Sequence, residues 1–173
     1  MLQLSNIYYD QPVLSLRTGG VIGHALNPLI NPNNLKIEGW YATAQGERQT
    51  FVLLANEVRD IIKKGIVVND HTSLTHTDDL VRLKDIINLR FELINKPVIT
   101  ESKKKIGKVQ TYAVDDQTMT IKKLYISQSM FKNFGIQQKI IDRSQIIQIT
   151  DHEIIIRDTT EPVLVGQRAT QTL

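Results

Sequence analysis

The strongest constraint on the fold of this 173-residue chain is an internal repeat, in which blocks of sequence recur about 85 positions later. The matched blocks share their pattern of apolar residues, and they are 11–14 with 96–99, 21–24 with 105–108, 35–41 with 119–125, 57–61 with 145–149, and 65–70 with 153–158. The offset changes from 85 to 84 and then to 88, so the insertions fall between blocks, at 17–20 and 42–50. Two copies, roughly 2–70 and 87–158, therefore cover nearly the whole chain.

Each copy is predicted to be β structure, because its apolar runs are short, rich in β-branched residues and broken by turn-forming residues. The chain has 23 isoleucines. Asn31-Pro32-Asn33-Asn34 in the first copy and Asp115-Asp116-Gln117-Thr118 in the second predict hairpin turns, since Asn and Asp tolerate left-handed backbone. The expected fold is mostly all-β, with two tandem small β-barrels and a short linking helix.

The strand after each turn alternates apolar and polar residues, which is typical of a strand with one buried face. In the first copy Leu35, Ile37 and Tyr41 share a phase, with Lys36 and Glu38 opposite. The second copy repeats this phase at Met119, Ile121 and Tyr125. We therefore expect Ile37 and Ile121 to be equivalent core residues in two units related by a rough two-fold axis.

The segment between the copies has a different, helical spacing. Thr77-Asp78-Asp79 can cap a helix, and apolar residues then recur every three or four positions, at Leu80, Leu83, Ile87, Phe91 and Ile94. This predicts a short helix over 79–88. The predicted domain organisation is a first barrel at 1–76, a helical linker and start of the second copy at 77–95, a second barrel at 96–158, and a flexible C-terminal tail at 159–173.

The matched blocks resemble the PRC-barrel family. The resemblance lies in PVLSLRTGGVIG, NPNNLKIEGWY and GIVVND of the first copy, and in KPVITESKKKIGKV, TIKKLYIS and IIDRSQIIQITDHEIIIRD of the second. It implies two barrels like those of the photosynthetic reaction-centre H subunit and the 16S ribosome maturation factor. These motifs mark strands and turns, so the resemblance implies a fold and transfers neither protein's function.

The composition excludes several classes of protein. The chain has no cysteine, which removes disulfides, thiolate catalysis and Cys-ligated metal sites and favours a cytoplasmic location. The N-terminal sequence MLQLSNIYYDQP lacks the charged and apolar regions of a signal peptide. No window approaches 18 apolar residues, so we expect no transmembrane segment.

No constellation of residues predicts an enzyme, and we expect neither a catalytic site nor a cofactor. The one group with metal-ligating residue types is His71 and His76 with Asp70, Asp78 and Asp79. A divalent metal site there is one interpretation, although no zinc-motif spacing is met. The other interpretation is a polar connection between the two copies.

Positive charge is concentrated in the second copy. Residues 1–83 carry a net charge of −1, and residues 84–173 carry +4. One cluster of lysines contributes most to this difference, and its members are Lys103, Lys104, Lys105, Lys108, Lys122 and Lys123. Such a cluster can bind phosphates of RNA or an anionic membrane surface, with Tyr112 and Tyr125 as stacking surfaces. It can equally serve solubility or protect a sheet edge from aggregation.

Two hypotheses about function follow from these observations. The first is a non-enzymatic adaptor, in which the two barrels bind a protein partner, with the groove between them as a candidate site. The second is an RNA- or ribosome-associated factor that uses the lysine cluster of the second barrel. The sequence does not predict an oligomeric state.

Overall fold

The computed structural model describes residues 1–127 and 138–158, and it shows a mostly β chain, as the sequence predicts. The strands belong to one mixed sheet. In the first part of the chain they are β1 (Leu2–Leu4), β2 (Gln11–Ser15), β3 (Val21–Asn31), β4 (Lys36–Ala44), β5 (Thr50–Leu54), β6 (Val58–Ile62), β7 (Gly65–Val68) and β8 (Leu74–His76). They continue as β9 (Pro97–Thr100), β10 (Lys105–Asp115), β11 (Thr120–Ser127), β12 (Gln138–Asp142), β13 (Ile146–Ile149) and β14 (Ile154–Ile156). The predicted tail at 159–173 lies outside the described residues.

The predicted helix over 79–88 is shorter and starts later than expected. Helix α1 spans Lys84–Leu89, and two single-turn 3₁₀ helices, Thr77–Asp79 and Val81–Leu83, precede it. No side chain caps these turns, and Leu80 between them leaves the helical region with φ −95° and ψ 60°. The apolar spacing was therefore correct for the face that packs on the sheet, but the backbone forms three separate turns in place of one helix.

The strands of the two parts of the chain pair in the same order. We call β2–β7 the first half and β9–β14 the second half. In the first half the order is β6-β7-β2-β3-β4-β5, and in the second it is β13-β14-β9-β10-β11-β12. The parallel pair has the same register in both: Val13 lies opposite Ile66, and Val98 lies opposite Ile154. These pairs reproduce the offsets of 85 and 88 in the sequence alignment.

The halves join through the first residues of β4 and β11, which pair antiparallel. The amide of Ile37 donates to the Met119 carbonyl, and the amide of Ile121 donates to the Leu35 carbonyl, each over 2.8 Å. Since 35 corresponds to 119 and 37 to 121, the two hydrogen bonds exchange under a local two-fold rotation. Leu35 and Met119 also share a left-handed backbone, with φ of 53° and 52°.

The sheet is not closed into a barrel in the residues that the structure describes, which corrects the expectation of two barrels. In the first half, β8 pairs antiparallel with β5 and occupies the edge that a closing strand would need. The strand β6 follows β5 in sequence after the 3₁₀ turn Ala55–Glu57, but it pairs with β7. This connection therefore carries the chain to the opposite edge of the first half, where β6 pairs with β7, and the strands do not close into a barrel.

A β-bulge in each half overturns the predicted orientation of Tyr41 and Tyr125. Leu29 lies opposite Gly39 and Ile30 lies opposite Ile37, so Glu38 is an extra residue in β4. Lys122 is extra in β11 in the same way. Because side chains alternate along a strand, one extra residue moves all later side chains to the other face. Trp40 and Leu124 are fully buried as a result, and Tyr41 and Tyr125 are only half-buried.

One hydrophobic core serves both halves. Its buried residues come from β2, β3, β4, β5 and β7 of the first half and from β9, β10, β11, β12 and β14 of the second. Ile37 and Ile121 are buried in it at 0% and 1% exposure, as the sequence predicts. A smaller cluster lies on the outer face of the first half, where Ile87 of α1 packs against Leu29 and Val52.

Candidate functional site: two clefts between the halves

Each hairpin turn reaches across the junction and faces the edge strand of the other half, which forms two related clefts. The first cleft lies between the turn of the second half and β6, and its lining includes Asp116, Gln117, Met119, Ala55, 58–61 and Tyr8. The second cleft lies between the turn of the first half and β13, and its lining is 32–35, Arg143 and 146–149. Their volumes differ, at about 440 Å³ and about 180 Å³.

The two clefts differ in the charged residues that line them. The strand registers make Ala55 the counterpart of Arg143, and Asp60 the counterpart of Gln148. Asp116, in the turn that faces β6, corresponds to Pro32. The second cleft therefore contains its own cation among neutral neighbours. In the first cleft a methyl group replaces that cation, two positions that are neutral in the second cleft carry carboxylates, and Arg59 stands where the second cleft has Ile147.

The two carboxylates of the first cleft differ in their partners. Asp116 Oδ1 accepts a hydrogen bond from the Met1 ammonium at 2.7 Å, and this contact lowers the pKa of the carboxyl group. Asp60 Oδ1 accepts from the amide of Ile61 at 2.7 Å. Arg59, the neighbouring cation, donates through Nε to Asn69 Oδ1 at 3.0 Å. In the described part of the chain Asp60 therefore has a backbone partner and no cationic one.

Tyr8 contributes a buried hydroxyl group to the first cleft. Its ring is fully buried and stacks on Trp40, with ring centroids 6.2 Å apart. Its hydroxyl is the one buried side-chain polar atom without a hydrogen-bond partner among the described residues. Burial raises the pKa of this hydroxyl to about 12, with further contributions from Asp116 and Asp115, so the hydroxyl lies near the turn that borders the cleft. A buried oxygen without a partner is rare in folded proteins, so the Tyr8 hydroxyl is an unsatisfied group at the border of the first cleft.

The structure divides the predicted lysine cluster into separate groups. Lys103 and Lys104 lie in the turn between β9 and β10, and Lys105 begins β10. Lys108 lies opposite Ser127, whereas Lys123 lies opposite Ala113 near the other end of the same strand pair. Four residues of β11 separate these positions, which corresponds to about 13 Å. The sixth member, Lys122, is the half-buried bulge residue of β11.

Part of the cluster shares one face with an aromatic side chain. Lys108 of β10 and Lys123 of β11 lie on the face of these strands that points away from the core. Half-buried Tyr125 lies between them on the same face. Tyr112 is not available for stacking, because it is fully buried and its hydroxyl bonds to the Tyr9 hydroxyl at 3.0 Å. Asp142 lies opposite Lys123, so an acidic group interrupts the basic surface.

The histidines do not assemble a metal site. His76 ends β8 and its ring packs on Phe51, with ring centroids 4.5 Å apart. The Asp70 carboxylate accepts hydrogen bonds from Thr72 and lies 3.7 Å from Arg17, which together lower its pKa. Over the described ranges, no three His, Cys, Asp or Glu side chains are placed to hold one ion.

A third cavity lies beside the connection between the halves. It has a volume of about 330 Å³, and Leu26, Tyr41, Arg90 and Phe91 contribute to its lining. The Tyr41 hydroxyl donates to the Ile87 carbonyl at 2.9 Å, which anchors the end of α1 to the sheet. Because this hydroxyl is already paired and Arg90 is solvent-exposed, the cavity offers fewer unpaired buried groups than the first cleft.

Sequence reasoning did not identify the first cleft, although it expected a groove between the two units. The cleft residues Tyr8, Ala55, Asp60 and Asp116 come from four separate segments, and none of them forms a motif. The available signal was a difference between aligned copies, because the aligned block at 57–61 pairs Asp60 with Gln148. Only the fold shows that Asp60, which differs from Gln148, and Asp116, which differs from Pro32, line the same cleft.

No helix in the described ranges has the length and hydropathy needed to cross a bilayer. No family model matches the chain, and no curated protein matches it.

Proposed function

We propose that this chain is a non-enzymatic interaction module that binds a protein partner at the first cleft. The observation that carries the proposal is the difference between the two related clefts. The second is narrow and contains Arg143, whereas the first is wider and carries carboxylates and an unpaired hydroxyl. Polar groups that a protein leaves unpaired in a concave site are typical of a place where a ligand completes the contacts.

The edge strand beside the cleft supports the same proposal. In the described part of the chain β6 pairs with β7 alone, so its outer edge carries backbone groups without a strand partner. Sheet edges of this kind accept extended peptides in many recognition domains. Partner binding at the first cleft would place a peptide where both the edge and the cleft side chains are within reach.

The proposal includes an origin for the fold and a cellular location. We propose that the two halves are copies of one PRC-barrel-like unit, and the matching strand registers and offsets of the halves support this.

A cytoplasmic location is supported by the sequence, which contains no cysteine.

The test is affinity purification of the tagged full-length chain from its own host at moderate salt, in parallel with two variants. Ala55→Arg places in the first cleft the cation that the second cleft contains, and Asp85→Asn changes an exposed carboxylate on α1. We expect one defined protein to be retained by the original chain and by Asp85→Asn, and to be lost with Ala55→Arg. Retention by all three, or by none, contradicts the proposal.

A second candidate function is RNA binding, favoured by the common face of Lys108, Lys123 and Tyr125. Lysines beside an accessible aromatic ring are typical of surfaces that bind single-stranded nucleic acid, and Tyr125 is half-buried. A single-stranded RNA oligonucleotide should then bind with an affinity that falls as salt rises. We expect replacement of Lys108 and Lys123 by alanine to weaken binding, whereas the same change at Lys63 and Lys64 should not. Absence of binding at low salt removes this candidate.

A further inference from the structure

The second cleft shows which kind of side chain can occupy a cleft of this type. In the second cleft a half-buried arginine, Arg143, lines the space between β13 and the opposing turn. The equivalent position in the first cleft is Ala55, and the volume of that cleft is more than twice as large. The first cleft therefore lacks the side chain that its counterpart contains.

The first cleft contains two carboxylates that the second lacks, and its one lining cation, Arg59, donates through Nε to Asn69 Oδ1 at 3.0 Å. Asp60 and Asp116 line the first cleft, where the second has Gln148 and Pro32. Of these carboxylates, Asp60 has no cationic partner in the described part of the chain. The Tyr8 hydroxyl, buried and unpaired, adds an oxygen that can accept from an N–H group.

We propose that the first cleft binds the guanidinium group of an arginine side chain that a protein partner presents, with Asp60, Asp116 and the Tyr8 hydroxyl as its acceptors. This inference rests on the proposed function and adds the chemistry of the partner. The partner's arginine takes the place that Arg143 holds in the second cleft.

A guanidinium group fits this site better than a compact cation does. It is planar and carries five N–H donors, so it can bind a carboxylate through two hydrogen bonds and still reach another acceptor. The acceptors of the first cleft come from different elements: Asp60 from β6, Asp116 from the turn before β11, and Tyr8 from the 3₁₀ helix Ser5–Tyr8. A ligand with several donors in a fixed plane can connect them.

The experiment is a titration of the isotope-labelled full-length protein with N-acetyl-arginine N-methylamide, followed by amide chemical shifts at low ionic strength. The matched probe is N-acetyl-citrulline N-methylamide, which has nearly the same shape and no charge. We expect saturable shifts around Ala55, Asp60 and Gln117 with the arginine probe, and at least tenfold weaker binding of the citrulline probe. Equal binding of both probes, or shifts that occur elsewhere, overturns the inference.

Two variants copy residues of the second cleft into the first. Ala55→Arg should abolish binding of the arginine probe, because the new side chain occupies the site. Asp60→Gln should weaken binding at least tenfold. This second test remains valid even if Ala55→Arg fails to fold. Asp85→Asn should leave binding unchanged. If Asp60→Gln binds the probe as well as the original chain does, Asp60 is not an acceptor and the inference fails.

The inference and the proposed function fail in different ways. If a protein partner is captured and lost with Ala55→Arg while the arginine probe does not bind, the partner uses other chemistry and only the inference is overturned. If the probe binds in the cleft but no protein depends on that cleft for capture, the site binds a guanidinium group and the protein-partner function is overturned.

Discussion

At the scale of single residues, the two halves use the same positions for the same structural tasks. Gly23 and Gly107 are an example, because the sequence alignment pairs them and the structure gives both the same role. A Cβ atom at Gly23 would lie 2.0 Å from the Thr43 carbonyl oxygen, and one at Gly107 would lie 2.2 Å from the Ser127 carbonyl oxygen. Both glycines let neighbouring strands approach closely beside a bulge.

We expect Gly23→Ala to lower the free energy of unfolding by about 1–3 kcal/mol, because the added methyl group meets fixed backbone. Gly20→Ala is the control, since a Cβ there has only Thr18 Oγ1 nearby, at 3.8 Å. Urea unfolding measures both. Equal stability of the two variants would mean that the strands at Gly23 can separate at little cost.

Tyr8 is fully buried, and its hydroxyl group has no hydrogen-bond partner among the described residues. We expect Tyr8→Phe to raise the free energy of unfolding by about 1 kcal/mol, because it removes a buried hydroxyl that has no partner. Binding of the arginine probe should weaken in the same variant. Destabilisation by Tyr8→Phe would show that the hydroxyl is paired in solution, for example by a bound water.

At the scale of elements, the sequence predicted strands and hairpin turns better than it predicted the helix or the strand faces. The turns at 31–34 and 115–118 are where the sequence placed them. The helix is shorter because three separate turns replace it, and Tyr41 and Tyr125 change face because of the bulges at Glu38 and Lys122. A bulge adds one residue without changing composition, so the alternation pattern does not reveal it.

The 3₁₀ helix Arg143–Gln145, which leads into β13, is stabilised by a side-chain cap. Asp142 accepts hydrogen bonds from the amide and hydroxyl of Ser144, and Gln145 Oε1 accepts from the amide of Asp142. The bonds from Ser144, and then Lys123 and Lys122, lower the pKa of Asp142 below its ordinary value of 3.8. Because the folded pKa is the lower one, this stabilisation is present above the unfolded pKa and is lost as pH falls through the folded pKa.

We therefore expect Asp142→Ala to lower the free energy of unfolding by about 1 kcal/mol at pH 7 and to have little effect near pH 2. Denaturant unfolding at the two pH values measures this difference. Glu47→Ala, which removes an exposed carboxylate in the loop between β4 and β5, serves as the control and should leave the free energy of unfolding nearly unchanged. An equal loss at both pH values would mean that Asp142 acts through packing and not through its charge.

At the scale of the whole molecule, we expect the halves to unfold as one cooperative unit. They share one hydrophobic core, a paired junction at β4 and β11, and turns that reach across to the opposite edge strands. The N-terminal strand β1 adds a further link, because it pairs with β10 of the second half. Removing one half would expose much of the other half's core to water.

Trp40, the only tryptophan of the chain, reports this coupling from the first half. We expect Ile121→Ala, a core substitution in the second half, to lower the stability measured by Trp40 fluorescence by about 2–5 kcal/mol. Circular dichroism should give the same transition, as it does for two-state unfolding. Ile37→Ala should have a similar effect. A Trp40 transition that is unchanged by Ile121→Ala would show that the halves unfold separately.

By itself the sequence determined the β class, the repeated blocks with their changing offset, the two hairpin turns and the buried pair Ile37 and Ile121. These follow from local preferences and from periodicity, which are properties of neighbouring residues. The tertiary structure decided that the sheet stays open, that Tyr41 and Tyr125 leave the core, and that the lysines separate. It also decided that Tyr8, Ala55, Asp60 and Asp116 meet in one cleft, because contacts between distant segments depend on strand register and on how the halves cross.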